Sequence, residues 1–479
     1  MGEAARAIHP PIFRSRNVAS VALAAALALL AGALAVRSMQ IAVTLALLVL
    51  LLAVRIQSRP AGLTLLWTYW LLAPFLRRVL DLTVAAPGAD PLSLLPFLGT
   101  AALALLELRE NRLDRRARLI MTLAALGIVL GVPVGLATDP AAASFATVAY
   151  IAGLSAFVLG WGDGVRPASP ASLHRVLAVA LIPLSLYAIA QYFFSLTSWD
   201  ANWVASAELA SIGAPQEGHI RVFSTLNSPF TFAIVLAIGV ILGLGVQRRL
   251  STGIAVTLPL LVALALTFVR SAWLAVVVGV LVFAGAARGR SGGRIAAVVA
   301  ICLLALVTVG GSNPTTSAFT RRVTSLGNPE EDVSARERLE TTKRLLPTSL
   351  SQPLGAGLGQ AGLAVRLEQT GHKRAEVVDD GYLSLMYQAG PFGFLLVLMA
   401  LIASVRAAVQ ALSRAELRDR PARAALLASL VALLVALASA DVFFGLPGAI
   451  LWYLCGLAVA SASRERHEID RPEQPLETT

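Results

Sequence analysis

The chain has 479 residues, of which 57% are hydrophobic and only 14% charged, and its mean hydropathy is +0.74. Soluble domains carry about 25% charged residues, so the composition excludes an ordinary water-soluble enzyme and points to an integral membrane protein. The formal net charge of +11 fits arginine-rich loops on one side of a bilayer better than a polyanion site, and no nucleic-acid partner is expected.

A hydrocarbon core of about 30 Å needs about 20 apolar residues per helix. The apolar runs do not alternate, which rules against a barrel and leaves an all-α, polytopic transmembrane helical bundle. Taken in chain order, spans are expected near 18–36, 40–54, 61–76, 91–108, 119–137, 143–160, 176–197, 227–246, 253–269, 271–287, 295–311, 382–404, 424–439 and 444–461. Several are short enough to be tilted or merged, so the expectation is about 12–14 spans. The first run, with basic residues before it and Ala33-Leu34-Ala35 near its end, mimics a signal peptide; spans follow it at once, so an uncleaved anchor is expected.

With the N-terminus inside, each short inside loop is basic, including Arg55/Arg59, the Arg109–Arg118 cluster, Arg248/Arg249 and the Arg406–Arg423 cluster. The positive-inside rule then makes both termini cytoplasmic. The expected organisation is a cytoplasmic N-terminus (1–17), a transmembrane bundle (18–311), an extracytoplasmic loop (312–381), C-terminal spans (382–461) and a polar, disordered tail (462–479). The protein is expected in the bacterial inner membrane. Cys302 and Cys455 both fall in apolar runs and read as small buried hydrophobes. The histidines, His9, His174, His219, His372 and His467, have no metal-ligand spacing, so no metal site is expected.

Three outside segments hold the candidate chemistry. Residues 198–226 carry Trp199 and Trp203, suited to a membrane interface, together with Glu208, Glu217, His219 and Arg221. Arg270, in Thr267-Phe268-Val269-Arg270-Ser271-Ala272-Trp273, is the sole charge between Ile254 and Ala287. An arginine at bilayer depth costs about 2.5–3.5 kcal/mol on insertion scales, so Arg270 either snorkels to the outer surface or meets an anion; a phosphate would take both arms of its planar fork.

The third segment is the long loop, 312–380, where about nine basic residues balance about nine acidic ones, as in a folded cap rather than a polyanion-binding tail. Ser334 and Glu337 form a capping-box pattern, which predicts a helix starting there. Arg336, Glu340 and Lys343 would share one face and Leu339 and Leu346 another, with Pro347 and Pro353 bounding it. Gly357-Leu358-Gly359-Gln360-Ala361-Gly362 has the dinucleotide spacing, but no strand precedes it. Close backbone approach, or amides offered to a phosphate, remain as readings of it. Asp379 and Asp380 open the next span, where they either cap the helix or supply a general base for a sugar hydroxyl. Asp441, near the outer end of a later span, is a weaker candidate.

Several of these pieces resemble, in order, the superfamily of O-antigen ligases and O-antigen or surface-polysaccharide polymerases. They are Arg221-Val222-Phe223-Ser224-Thr225-Leu226-Asn227-Ser228-Pro229, the Arg270 hairpin, Ser334-Ala335-Arg336-Glu337-Arg338-Leu339 with Pro353-Leu354-Gly355-Ala356-Gly357-Leu358-Gly359, and Asp379-Asp380-Gly381-Tyr382-Leu383 with Gly390-Pro391-Phe392-Gly393. The resemblance covers roughly 220–405. It implies a membrane glycosyltransferase that moves a glycan from undecaprenyl diphosphate to an acceptor glycan at the outer face, without cofactor, nucleotide sugar or metal. Chain-length regulator or flippase proteins would be its partners, beside membrane lipid.

The resemblance also implies diphosphate binding by Arg270 and Arg336; from their place beside it, Arg221 is expected to assist the donor and Asp379, beside Asp380, to act as the base. His372, Lys343, Arg338 and Asp441 are weaker candidates. The chain departs from the family where Asp379-Asp380 replaces a common histidine-asparagine and where Val269 stands in place of a serine. The first departure favours a polymerase over a ligase. A transporter or flippase of polysaccharide precursors is the rival from another class.

Overall fold

The computed structural model describes residues 39–81, 91–166, 172–194, 196–207, 212, 220–246, 250–287, 333–361 and 378–469. Among them there are helices and no β-strand. In chain order they are α1 (Met39–Gln57), α2 (Arg59–Asp81), α3 (Pro91–Glu110), α4 (Arg115–Val129), α5 (Val132–Thr138), α6 (Pro140–Gly164), α7 (Ser172–Phe193), α8 (Ser198–Ala207), α9 (Pro229–Val246), α10 (Leu250–Leu266), α11 (Arg270–Ala287), α12 (Val333–Ser351), α13 (Gly381–Arg414), α14 (Arg420–Leu437) and α15 (Gly445–Ile469).

Among the described residues, eight helical segments are long and apolar enough to cross a membrane, with α4 and α5 counted as one, and three shorter apolar stretches lie in α1, α9 and α10. With α2, these account for every expected span except 18–36 and 295–311, which lie outside the described residues. The fold is therefore the expected all-α polytopic bundle. The last helix runs on to Ile469, past the boundary expected at 461.

Small residues let these helices approach closely, as membrane bundles require when no hydrophobic effect drives helix association. A β-carbon on Gly160 would lie 1.9 Å from the Tyr453 carbonyl, and one on Gly456 equally near that of Phe157. The α6–α15 pair is thus a backbone-to-backbone contact.

Side-chain bonds sort the helix ends onto two faces. On one face Glu107 accepts from Arg55 (3.3 Å), Arg59 (2.7 Å) and Arg166 (2.7 Å), and Arg59 also reaches Asp163 (2.6 Å). These three arginines are balanced by Glu107, Glu110 and Asp163, as a buried charged group needs. The opposite face gathers every described candidate residue.

α12 departs from its sequence pattern in two ways. It does not stop at Pro347 but continues to Ser351; the carbonyl that Pro347 leaves without an amide donor is that of exposed Lys343, where water can serve it. Its packed face runs through Leu345 and Ser349, while Leu339 and Leu346 are 53% and 37% exposed. Leu345 meets Val378, Leu383 and Ala361, so the start of α13, rather than leucine content, decides which face is buried.

Candidate functional site

Two turns meet on the site face. Arg221 donates from Nε to the Thr267 carbonyl (3.1 Å), and the Val222 amide donates to the Leu266 carbonyl (3.3 Å). The second turn reverses the chain between α10 and α11. The Thr267 hydroxyl donates to the Leu264 carbonyl (2.6 Å), and Trp273 Nε1 reaches the same oxygen (3.0 Å). Arg270 is the first residue of α11. Arg221 thus lies against the hairpin that carries Arg270.

Beneath them lies a buried cluster that the sequence did not flag. Arg78 and Asp200 pair at 2.6 Å with both side chains inaccessible. Trp203, expected at the membrane interface, is instead buried against the Arg78 guanidinium, 5.4 Å from its ring centroid; an indole face and a cation removed from water attract one another. Trp199 donates to the Tyr187 hydroxyl (3.0 Å). Of the other residues named in 198–226, Glu208, Glu217 and His219 lie outside the described residues.

The two adjacent acids sit in different environments. Asp380 caps α13 through one oxygen: Oδ1 accepts from the amides of Tyr382 (2.8 Å) and Leu383 (3.1 Å). Burial raises the Asp380 carboxyl above its ordinary value; those two amides and the Arg338 charge oppose the rise. Asp379 is half exposed and lies 3.8 Å from Arg338 Nε, a surface pair worth at most about 1 kcal/mol. Arg336 and Lys343 stand exposed on α12. His372 lies outside the described residues.

Arg336 and Arg270 are joined through the bundle. α12 lies on α13, α13 on α14 and α14 on α11, with the Tyr382 hydroxyl donating to the Leu434 carbonyl (2.9 Å). α11 and α14 run antiparallel. Arg420 reaches the Ala286 carbonyl at one end, and Gly279 faces Ala432 midway. Arg270 precedes Gly279 by as many residues as Asp441 follows Ala432, so the two belong to the same membrane face.

The glycine-rich run is a plug between two broken helices. Pro391 removes the amide that would serve the Tyr387 carbonyl, and the Ala356 amide takes its place (2.7 Å). Gly357 N then donates to the Gln388 carbonyl (3.2 Å), Leu358 N to that of Gly131 (2.8 Å), and Gly359 N to Gln388 Oε1 (2.8 Å). These four amides are already engaged by protein acceptors. The reading that offers them to a phosphate therefore fails, and the close-approach reading holds. Irregular backbone beside membrane spans survives where protein satisfies it in this way.

Gln388 ties the plug to a buried carboxylate. Its Nε2 donates to the Ser384 hydroxyl (3.0 Å) and the Tyr150 hydroxyl (3.3 Å). Both hydroxyls donate to Asp441 Oδ2 (3.4 Å each), and Phe443 N donates to Oδ1 (3.1 Å). Burial pushes Asp441 up to about 6, against these three hydrogen bonds. A raised folded value contributes stability below the unfolded value near 3.8, and that stability is lost as pH rises through about 6. Asp441→Asn, which does not titrate, should flatten this dependence. Melting in detergent between pH 4.5 and 7.5 reads it; parallel curves for the two proteins refute the assignment.

The fold and this polar face define a multi-pass membrane protein with irregular, closely packed backbone at one end of its helices. Residues 254–398 match the family described as O-antigen ligase, and this match supports the O-antigen ligase and polymerase superfamily. The matched region holds the Arg270 hairpin, α12, the plug and Asp379–Asp380; Arg221, Arg78, Asp200 and Asp441 fall outside it. No curated protein matches the chain.

Proposed function

We propose that the protein transfers a glycan from undecaprenyl diphosphate to an acceptor sugar hydroxyl on the outer face of the inner membrane, and that the product is a growing exopolysaccharide or O-antigen-type polymer. The observation carrying this reading is the family match over 254–398, which spans two arginine-bearing elements and a half-exposed carboxylate at one face of the bundle.

The acceptor oxygen attacks the anomeric carbon, and the carbon–oxygen bond to the diphosphate breaks with its electron pair on the leaving oxygen. The hydroxyl proton passes to Asp379. Arg270 and Arg336, assisted by Arg221, stabilise charge gathering on the diphosphate. Fixed donors of this kind do more in a water-poor site than in bulk water. No nucleotide sugar or metal enters the scheme. Asp380 holds the end of α13, and Arg338 and Lys343 add positive charge along α12.

The Asp379–Asp380 pair, where ligases commonly carry histidine-asparagine, favours polymerisation over ligation to a different acceptor. A transporter of precursors fits less well, because the match is to a ligase family. With reconstituted protein and a lipid-linked repeat unit, Arg270→Ala and Arg336→Ala should each lower transfer about a hundredfold while the protein still inserts. No transfer by wild type would sink the reading, and unchanged transfer in both variants would remove the two arginines from it. Product length separates the two transferases, since a ladder of repeats marks a polymerase and a single addition a ligase.

A further inference from the structure

Two non-glycine residues among those described hold a left-handed backbone, Ser224 (φ +53°) and Phe268 (φ +53°). They sit in the two turns joined by Arg221 and Val222. Such a conformation persists only where surrounding structure over-determines it, and it gathers at functional sites.

What determines Ser224 is specific. Its amide donates to Gln191 Oε1 (2.8 Å), its carbonyl accepts from Arg78 Nη2 (2.8 Å) and Gln191 Nε2 (3.3 Å), and its hydroxyl donates to the Leu184 carbonyl (2.7 Å). Asp200 completes the knot. It accepts from Arg78 (2.6 Å), the Tyr187 hydroxyl (2.6 Å) and Gln191 Nε2 (2.7 Å). Phe75, Trp203 and Phe223 enclose the guanidinium, with their ring centroids 5.0–5.7 Å away.

Stability alone is a weak reason for this arrangement. A fully buried ion pair is often matched or bettered by well-packed apolar side chains, and a glycine at position 224 would remove the strain. The knot draws on α2, α7 and α8 and grips the chain three residues from Arg221. Arg221 in turn grips the carbonyl of Thr267, next to Phe268 and close to Arg270.

We propose that the buried Arg78–Asp200 pair, acting through Gln191 and Ser224, is a positioning device that fixes Arg221 and the Arg270 hairpin as a rigid anion-binding corner for the lipid diphosphate. The diphosphate part of this statement rests on the function proposed above. Arg78 and Asp200 touch no substrate and act through the turn.

The test has two arms in full-length protein. In the first, hydrogen exchange is measured without substrate for wild type and Asp200→Asn, which keeps the shape and removes the charge. Faster exchange is expected at 221–226 and also at 266–269; unchanged exchange in the hairpin overturns the proposal. In the second, donor KM and kcat are measured for Asp200→Asn, Arg221→Ala and the double variant. Asp200→Asn should raise donor KM about tenfold with kcat less affected, and add under about twofold once Arg221 is gone, as expected of residues acting as one unit. An equal loss in both backgrounds marks a merely structural pair and overturns the positioning role.

Where Asp200→Asn fails to accumulate, Gln191→Met, which cuts the link and keeps the length, carries both arms. If wild type moves no glycan from the lipid diphosphate, the glycosyl-transfer reading and with it the diphosphate part of the proposal fall; if transfer occurs but Arg221→Ala and Arg270→Ala both leave it unchanged, only the corner falls, and in either case the exchange arm decides whether the knot holds the hairpin.

Discussion

Gly357→Ala is expected to cost the protein its plug, and with it all transfer activity. A β-carbon there would lie 2.4 Å from the Gly135 amide nitrogen and 2.6 Å from its Cα, and Gly357 has φ +106°. Both obstacles are backbone, so no side chain can turn aside. Gly390 poses the same problem from the other side, with φ +70° and a β-carbon position 2.2 Å from the Pro353 carbonyl oxygen. A left-handed conformation costs a substituted residue about 1–2 kcal/mol, and forced overpacking adds about 1–3 kcal/mol.

The larger loss follows from what the plug does. Displacing it strands the carbonyls of Tyr387, Gln388 and Gly131, which the Ala356, Gly357 and Leu358 amides now serve, and each unserved buried group costs about 1–3 kcal/mol. Limited proteolysis in detergent should cut Gly357→Ala within 352–361, where wild type resists. Gly285→Ala is the control, since a β-carbon there meets nothing within 4 Å and alanine favours a helix. Wild-type resistance in Gly357→Ala would show that the plug is not what closes this end of the bundle.

The amino-acid sequence disclosed this architecture unevenly, for physical reasons. Apolar runs mark spans because the bilayer imposes their length, and the span pattern needs no tertiary knowledge. The glycines at 355, 357 and 359 carried their meaning locally, since repeated glycine implies backbone at close range. Which backbone they approach depended on Gly131 and Pro391, distant in the chain. Asp380 as a cap was legible because its partners are its own next residues. The Arg78–Asp200 pair was not, because its members are 122 residues apart and each looks ordinary in place: Arg78 follows Arg77 at a span end, and Asp200 follows Trp199. A lone acid among aromatics beside a basic span end is the signal that could have found it. The Asp441 network was equally hidden, since Tyr150, Ser384 and Gln388 are commonplace in isolation.

Asp379 and Asp380 supply the sharpest separation of chemistry from architecture, because adjacent and identical side chains sit in different environments. The Asp380 cap uses only Oδ1, an acceptor that asparagine also carries. Asp380→Asn should therefore keep the cap and change transfer by no more than a few-fold, while Asp380→Ala loses the cap and about 1 kcal/mol of stability. Asp379 makes no cap bond and stands half exposed beside Arg338, so Asp379→Asn should leave melting unchanged. If Asp379 takes the acceptor's proton, the same substitution lowers kcat about a thousandfold, within the range for loss of a general base, with donor KM near wild type because the arginines proposed to hold the diphosphate are untouched. The converse pattern, with Asp380→Asn inactive and Asp379→Asn active, would move the base to the half-buried residue, whose carboxyl burial already raises and so makes the stronger base. Full activity in both asparagine variants would remove the pair from the chemistry and leave Asp380 as a helix cap alone.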